Sequence, residues 1–250
     1  MKDERTSHAR WLRGYESLPK LSILREHQMT KAFFLILLLS ITLSAQRKFE
    51  IKNASKNYDV HVEVGRCEGE SCSGRLKVEL FKKSAPKPFQ VINLDETEFA
   101  VEEAQLIDSK GMYNYQSIVF FEDYNFDGAA DLSIRDGNNS GYGGPSYRIY
   151  LFSPRTSKFV FSQPFTDLGQ GEYLGMFQID RRRKKLRAYS KSGCCLHRMD
   201  EFIVVGNRPK KILEVLEDAT IADEKRVRVT TKRLIKGRWR TTVKYVRRAK

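Results

Sequence analysis

Residues 123–131 read Asp-Tyr-Asn-Phe-Asp-Gly-Ala-Ala-Asp, and no other stretch of the chain restricts its fold as strongly. Asp123, Asn125, Asp127 and Asp131 put oxygen-bearing side chains at the first, third, fifth and ninth positions. Gly128, at the sixth, permits the tight turn that an oxygen cage around a hard cation requires, and the carbonyl of Ala129 at the seventh completes the donor set. This is the spacing of a calcium loop, so Ca²⁺ is the expected cofactor. The twelfth position is Ile134, which removes the bidentate Glu of an EF-hand. Both flanks, Ser117-Ile118-Val119-Phe120-Phe121 and Leu132-Ser133-Ile134, are rich in β-formers and lack helical periodicity. The loop therefore joins two strands. Asp, Asn and Gly also make ordinary turns; four donors in register with the glycine favour the metal loop.

The rest of the chain repeats this local character. Tyr58, Val60, Val62 and Val64 alternate with polar residues, and Leu76, Val78 and Leu80 do the same, as in strands with one buried face. Further strands are expected at residues 89–92, 147–152, 159–161, 173–179, 186–190, 201–205, 211–215, 226–235 and 238–246, separated by turn signals such as Gly206-Asn207-Arg208-Pro209 and Lys236-Gly237. Residues 100–107 fit a helical turn or an edge strand. With no long amphipathic helix, the expected fold is an all-β antiparallel meander of short hairpins, a single domain of propeller-like or barrel-like form. No internal repeat decides between those two.

Composition matters for location and partners. Met29-Thr30-Lys31, an apolar run over residues 32–43 and the small-residue exit Ser44-Ala45-Gln46 form the pattern of a secretory signal. The expected organisation is an upstream extension at 1–28, a signal peptide at 29–45 cleaved near Ala45, and an exported calcium-binding β-domain at 46–250, periplasmic or extracellular, with no transmembrane segment after cleavage. Residues 1–45 hold seven Lys/Arg and four Asp/Glu, so their removal takes the net charge from +14 to +11. Export argues against nucleic acid, and the charge then points to acidic proteins, anionic glycans or envelope surfaces. Twelve Lys/Arg fall within residues 225–250. An alternating basic face there fits either a solvated edge or a dock for an anionic polymer. The four cysteines, Cys67, Cys72, Cys194 and Cys195, suit disulfides in an exported chain; pairing within each local group and pairing between the groups both remain open.

Catalysis finds little support. No nucleophile elbow, P-loop, dinucleotide-binding glycine pattern or zinc-protease helix is present, and acids committed to a cation are poor proton carriers. The expectation is a binding protein with no catalytic residues. The candidate contact is the glycine-dense stretch after the metal loop: Ser140, Gly141, Tyr142, Gly143, Gly144, Tyr147 and Arg148 combine flexible backbone with the aromatic and Arg side chains that anchor interfaces.

Phe121-Glu122-Asp123-Tyr124-Asn125-Phe126-Asp127-Gly128-Ala129-Ala130-Asp131-Leu132, then Ser140-Gly141-Tyr142-Gly143-Gly144-Pro145-Ser146-Tyr147-Arg148-Ile149-Tyr150 and Phe159, resembles a family of bacterial exported proteins. Its studied members act as immunity proteins against peptidoglycan-degrading effectors of a type IV secretion system and are similar in architecture to periplasmic lysozyme inhibitors. The match covers residues 115–165 and continues more weakly at Gly193-Cys194-Cys195. The resemblance implies a propeller-like β-domain that holds Ca²⁺ through Asp123, Asn125, Asp127 and Asp131 and inhibits a peptidoglycan hydrolase. Ser140, Gly141 and Tyr147 look like a stretched form of the Ser-Gly-x-x-Tyr motif of lysozyme inhibitors.

Overall fold

The computed structural model describes residues 46–69, 71–100, 118–221 and 225–247; the upstream extension, the signal peptide and most of the ambiguous 100–107 stretch lie outside them. The chain divides into Met1–Leu43 and Ser44–Lys250, and every described element belongs to the second unit. Alternation in sequence becomes alternation in burial: Val60, Val62 and Val64 are buried while their neighbours in the strand are not. Strands β1 (Arg47–Ile51), β2 (Tyr58–Glu68), β3 (Ser71–Lys82) and β4 (Gln90–Ala100) form one antiparallel sheet, in chain order. A second contains β5 (Val119–Glu122), β6 (Asp131–Gly137), β7 (Ser146–Ser153) and β8 (Lys158–Phe161). After a single-turn helix, α1 (Gln163–Thr166), the third runs through β9 (Gln178–Asp180), β10 (Lys185–Ser192), β11 (Leu196–Val205), β12 (Arg208–Asp218), β13 (Arg226–Ile235) and β14 (Arg238–Arg247).

Every pairing is antiparallel between sequence neighbours, the arrangement of propeller blades, and no sheet closes into a barrel. The second sheet is buried on both faces. Leu132, Ile134 and Tyr150 join a core with Val62, Leu76, Val78 and Ile92 of the first sheet, while Tyr147, Ile149 and Leu151 join a second core with Leu186, Ala188 and Phe202 of the third. β6 is buried along its whole length. Its polar residues are accordingly bonded: Ser133 accepts the Tyr124 hydroxyl at 2.8 Å, and Arg135 reaches Asn138 at 2.8 Å. Gln90 of β4 exchanges two 2.8 Å hydrogen bonds with the backbone of Phe159, which fixes the first sheet to the second.

The disulfides are local. Cys67 pairs with Cys72 across the β2–β3 ladder, and Cys194 pairs with its neighbour Cys195 in the β10–β11 turn.

Candidate functional site

The residues expected to hold calcium form the β5–β6 turn. Phe126 and Gly128 take left-handed conformations, with φ of 63° and 91°, which folds residues 123–129 back on themselves. Asp123 accepts from the amides of Asp127 (3.1 Å) and Gly128 (3.0 Å), and Asp127 accepts from the amide of Ala129 (2.8 Å). The Asp127 amide also lies 3.1 Å from the Asn125 side-chain oxygen, so the oxygens of Asp123 and Asn125 converge on one N–H. Asp131 is fully buried; it accepts from Tyr124 at 2.9 Å, Asn125 at 3.4 Å and Phe152 at 2.8 Å. Burial pushes its carboxyl up to about 7, the amides of Phe152 and Tyr124 pull the other way, and the charge of Asp127 adds to the rise.

Donor chemistry and register suit an oxygen-seeking cation. An ionised carboxylate offers about four acceptor positions, so three N–H bonds still leave Asp131 capacity for a ligand bond. Among the described residues, no three Asp, Glu, His or Cys side chains close into a metal-holding group. The loop is instead held by its own amides and by the third sheet, through Asn125 to Asn207 at 3.2 Å, Lys184 to the Phe126 carbonyl at 3.5 Å, and Arg181 to Glu122.

The glycine loop occupies the other end of β6. Gly141–Gly143 forms a 3-10 turn. Gly141 donates to the Tyr173 carbonyl at 2.7 Å, and a Cβ at Gly141 would sit 3.0 Å from the Glu172 carbonyl, so this contact admits only glycine without a shift. Behind it, the Tyr173 hydroxyl donates to buried Asp200 at 2.8 Å, and Lys211 reaches the same oxygen at 2.7 Å. Tyr142 is 65% exposed at a φ of 61°. A left-handed non-glycine residue costs on the order of 1–3 kcal/mol, and an exposed aromatic held this way is a candidate contact point. Its hydroxyl accepts from Gly193 at 2.5 Å, and Lys191 lies 4.7 Å from its ring centre.

Two residues expected on this surface are inside. Ser140 and Tyr147 are 6% and 0% exposed. Tyr147 packs in the second core beside Phe120, because both faces of its sheet are covered. Neither side chain presents itself to a partner, which corrects that part of the sequence expectation. Arg148 is half-exposed but paired with Asp136 at 3.2 Å, and Asp136 also accepts from Ser146 at 2.6 Å. Gly143 and Gly144 shape the turn: Gly143 has a φ of 68°, and a Cβ at Gly144 would meet the Ser140 hydroxyl at 2.7 Å.

Residues not anticipated from sequence complete this end. Leu174, Tyr189, Lys191, His197, Arg198 and Val215 line a cleft of ≈ 350 Å³, and its Lys191 lies against the Tyr142 ring.

No family model matches the chain, and no curated protein matches it. A solved structure, that of a Xanthomonas type IV secretion system related protein, shares the fold at a TM-score of 0.62 and 22% identity, over 81% of this chain and 95% of that one. Fold and site together define an all-β protein of three sequential antiparallel meanders, with an Asp- and Asn-rich turn and an aromatic-bearing glycine loop at opposite ends of β6.

Proposed function

We propose that the chain is an exported, non-catalytic inhibitor of a peptidoglycan hydrolase, stabilised by calcium, that contacts its target through the glycine-loop end. The observation that carries this reading is Tyr142, exposed in a left-handed conformation with its ring against Lys191, a residue that lines the cleft. Rigid aromatic anchors of this kind dominate protein interfaces. The shared fold with a type IV secretion system related protein supports it. So does the resemblance of residues 115–165 to immunity proteins of that kind. Asp123, Asn125, Asp127, Asp131 and the Ala129 carbonyl would hold the ion. Bound calcium supplies the positive charge that offsets repulsion between Asp127 and Asp131. With a net charge of +11 from Gln46 onward, the favoured target is an acidic hydrolase.

The test is an inhibition titration against a panel of peptidoglycan hydrolases with native protein and Tyr142→Ala. A hot-spot residue is worth about 2 kcal/mol or more, so the variant should inhibit roughly 30-fold less well, while losing only about 1 kcal/mol of stability with the Gly193 acceptor. Equal inhibition by both proteins would remove Tyr142 from the interface, and no inhibition of any hydrolase would remove the function.

A further inference from the structure

The third sheet ends in a ribbon that belongs to neither core. All ten residues of β14 are exposed, and β14 has β13 as its neighbour on one side only. The ladder between β12 and β13 ends at Leu213 and Arg233. Beyond it, Leu234 faces Trp239 and Ile235 faces Arg238 with no third strand beside them.

Residues 225–247 contain ten Lys/Arg and no Asp or Glu. Arg228 pairs with Asp218 and Lys232 with Glu214, both on β12. Among the described residues Arg233, Lys236, Arg238, Arg240 and Lys244 have no ion-pair partner. The same ribbon exposes Ile235, Trp239, Val243, Tyr245 and Val246, each more than two-fifths accessible. Charge alone suits any polyanion, but a soluble polyanion would leave these apolar side chains in water. A bilayer interface accepts both kinds: Trp and Tyr seat at headgroup level, Lys and Arg extend their stems over apolar surface, and anionic headgroups attract their charges.

We propose that the β13–β14 hairpin is a membrane-surface anchor, its tip of Leu234, Ile235 and Trp239 seated among the headgroups of an anionic phospholipid bilayer and held by the surrounding Lys and Arg. This anchor is separate from the glycine-loop contact and does not depend on the inhibitor function.

Trp239 is the only tryptophan in Ser44–Lys250, the unit that contains both cores and every described strand. Its emission therefore reports the tip directly. The experiment mixes this unit with vesicles of equal phosphatidylglycerol and phosphatidylcholine, or of phosphatidylcholine alone. The expected result is a blue shift and protection from aqueous quencher on the anionic vesicles only, weakened by salt. At about fivefold per basic residue, Arg238→Glu with Arg240→Glu should lower vesicle affinity at least roughly 30-fold. Leu234→Ser with Trp239→Ser, which leaves the charge unchanged, should also weaken co-sedimentation with the vesicles. Co-sedimentation without an emission shift, or undiminished affinity in the serine variant, would overturn the proposal. Binding to soluble dextran sulfate as tight as to the anionic vesicles would overturn it in favour of a polyanion site.

Discussion

The two turns at the ends of β6 are built from similar residues and do opposite things. At one end, the acids of residues 123–131 turn their oxygens onto backbone amides, most completely at buried Asp131. At the other, Gly141–Gly143 holds its aromatic outward against a cleft. The seven residues of β6 separate them by about 20 Å at the rise of an extended strand. A polar loop that spends its side chains on its own backbone is a stabilising device; one that spends backbone strain to display a ring is a recognition device. An ion held in the first loop would therefore act on stability.

The sharpest way to break this contrast is Asp131→Ala. It removes a buried acceptor from three amides, two in the β5–β6 turn and one on β7, and stranded buried donors cost about 1–3 kcal/mol each. The loss expected in chemical denaturation is about 3–5 kcal/mol. In the folded fraction, inhibition through Tyr142 should be unchanged. If the variant stays folded but fails to inhibit, the ends are coupled through β6.

Calcium tests the same division more gently. Free ion at a hundred times its dissociation constant should add about 2.7 kcal/mol to stability. Asp127→Ala should abolish that increment, and a chelator should lower the melting temperature without altering target affinity. No calcium-dependent change in melting would leave the loop as a self-bonded turn.

This division was only partly legible in the sequence. The hairpins were: period-two alternation marks β2 and β3, and the β-forming flanks mark β5 and β6 around the loop. β1 escaped because Arg-Lys-Phe-Glu-Ile has too few apolar residues to show a period. The stretch 173–179 has strand-like composition, yet only Gln178–Asp180 pairs; Gly175 turns the chain at a φ of 78°, while Tyr173 and Phe177 still reach the second core. Tyr147 was misplaced because alternation separates inside from outside only when one face of a sheet meets water, and β7 has covered faces on both sides. Few residues part the two loops in sequence. An antiparallel strand turns that short separation into opposite ends.

A smaller effect probes how the third sheet, against which the β5–β6 turn rests, is held together. Glu201 is buried beside Lys185, at 2.5 Å, and Arg187, at 3.1 Å. Burial acts to raise its carboxyl, but the hydrogen bonds and charges of Lys185 and Arg187 outweigh it and hold the group below its ordinary 4.5. The folded state therefore binds this proton less readily than the unfolded chain does. The stabilisation is complete above about pH 4.5 and fades as pH falls through the lower folded value. Glu201→Gln should cost about 2 kcal/mol at neutral pH, with a shallower loss of stability on acidification than the native protein. Equal acid limbs in the two proteins would show that these charges contribute little to the fold.

The smallest expected change is also the one that separates display from structure. Tyr142→Gly relieves a left-handed non-glycine backbone, a gain of roughly 1 kcal/mol, and gives up the acceptor for the Gly193 amide, a loss of about the same size. The melting temperature should hardly move, although inhibition should fall as far as in Tyr142→Ala. Because glycine fits this conformation better than any residue with a side chain, that outcome would leave the tyrosine without a role in stability, as the proposed contact requires. A large drop in melting temperature would mean that the ring pins the Cys194–Cys195 turn from outside. Tyr142 would then belong, like Tyr147, to the framework rather than to the contact surface.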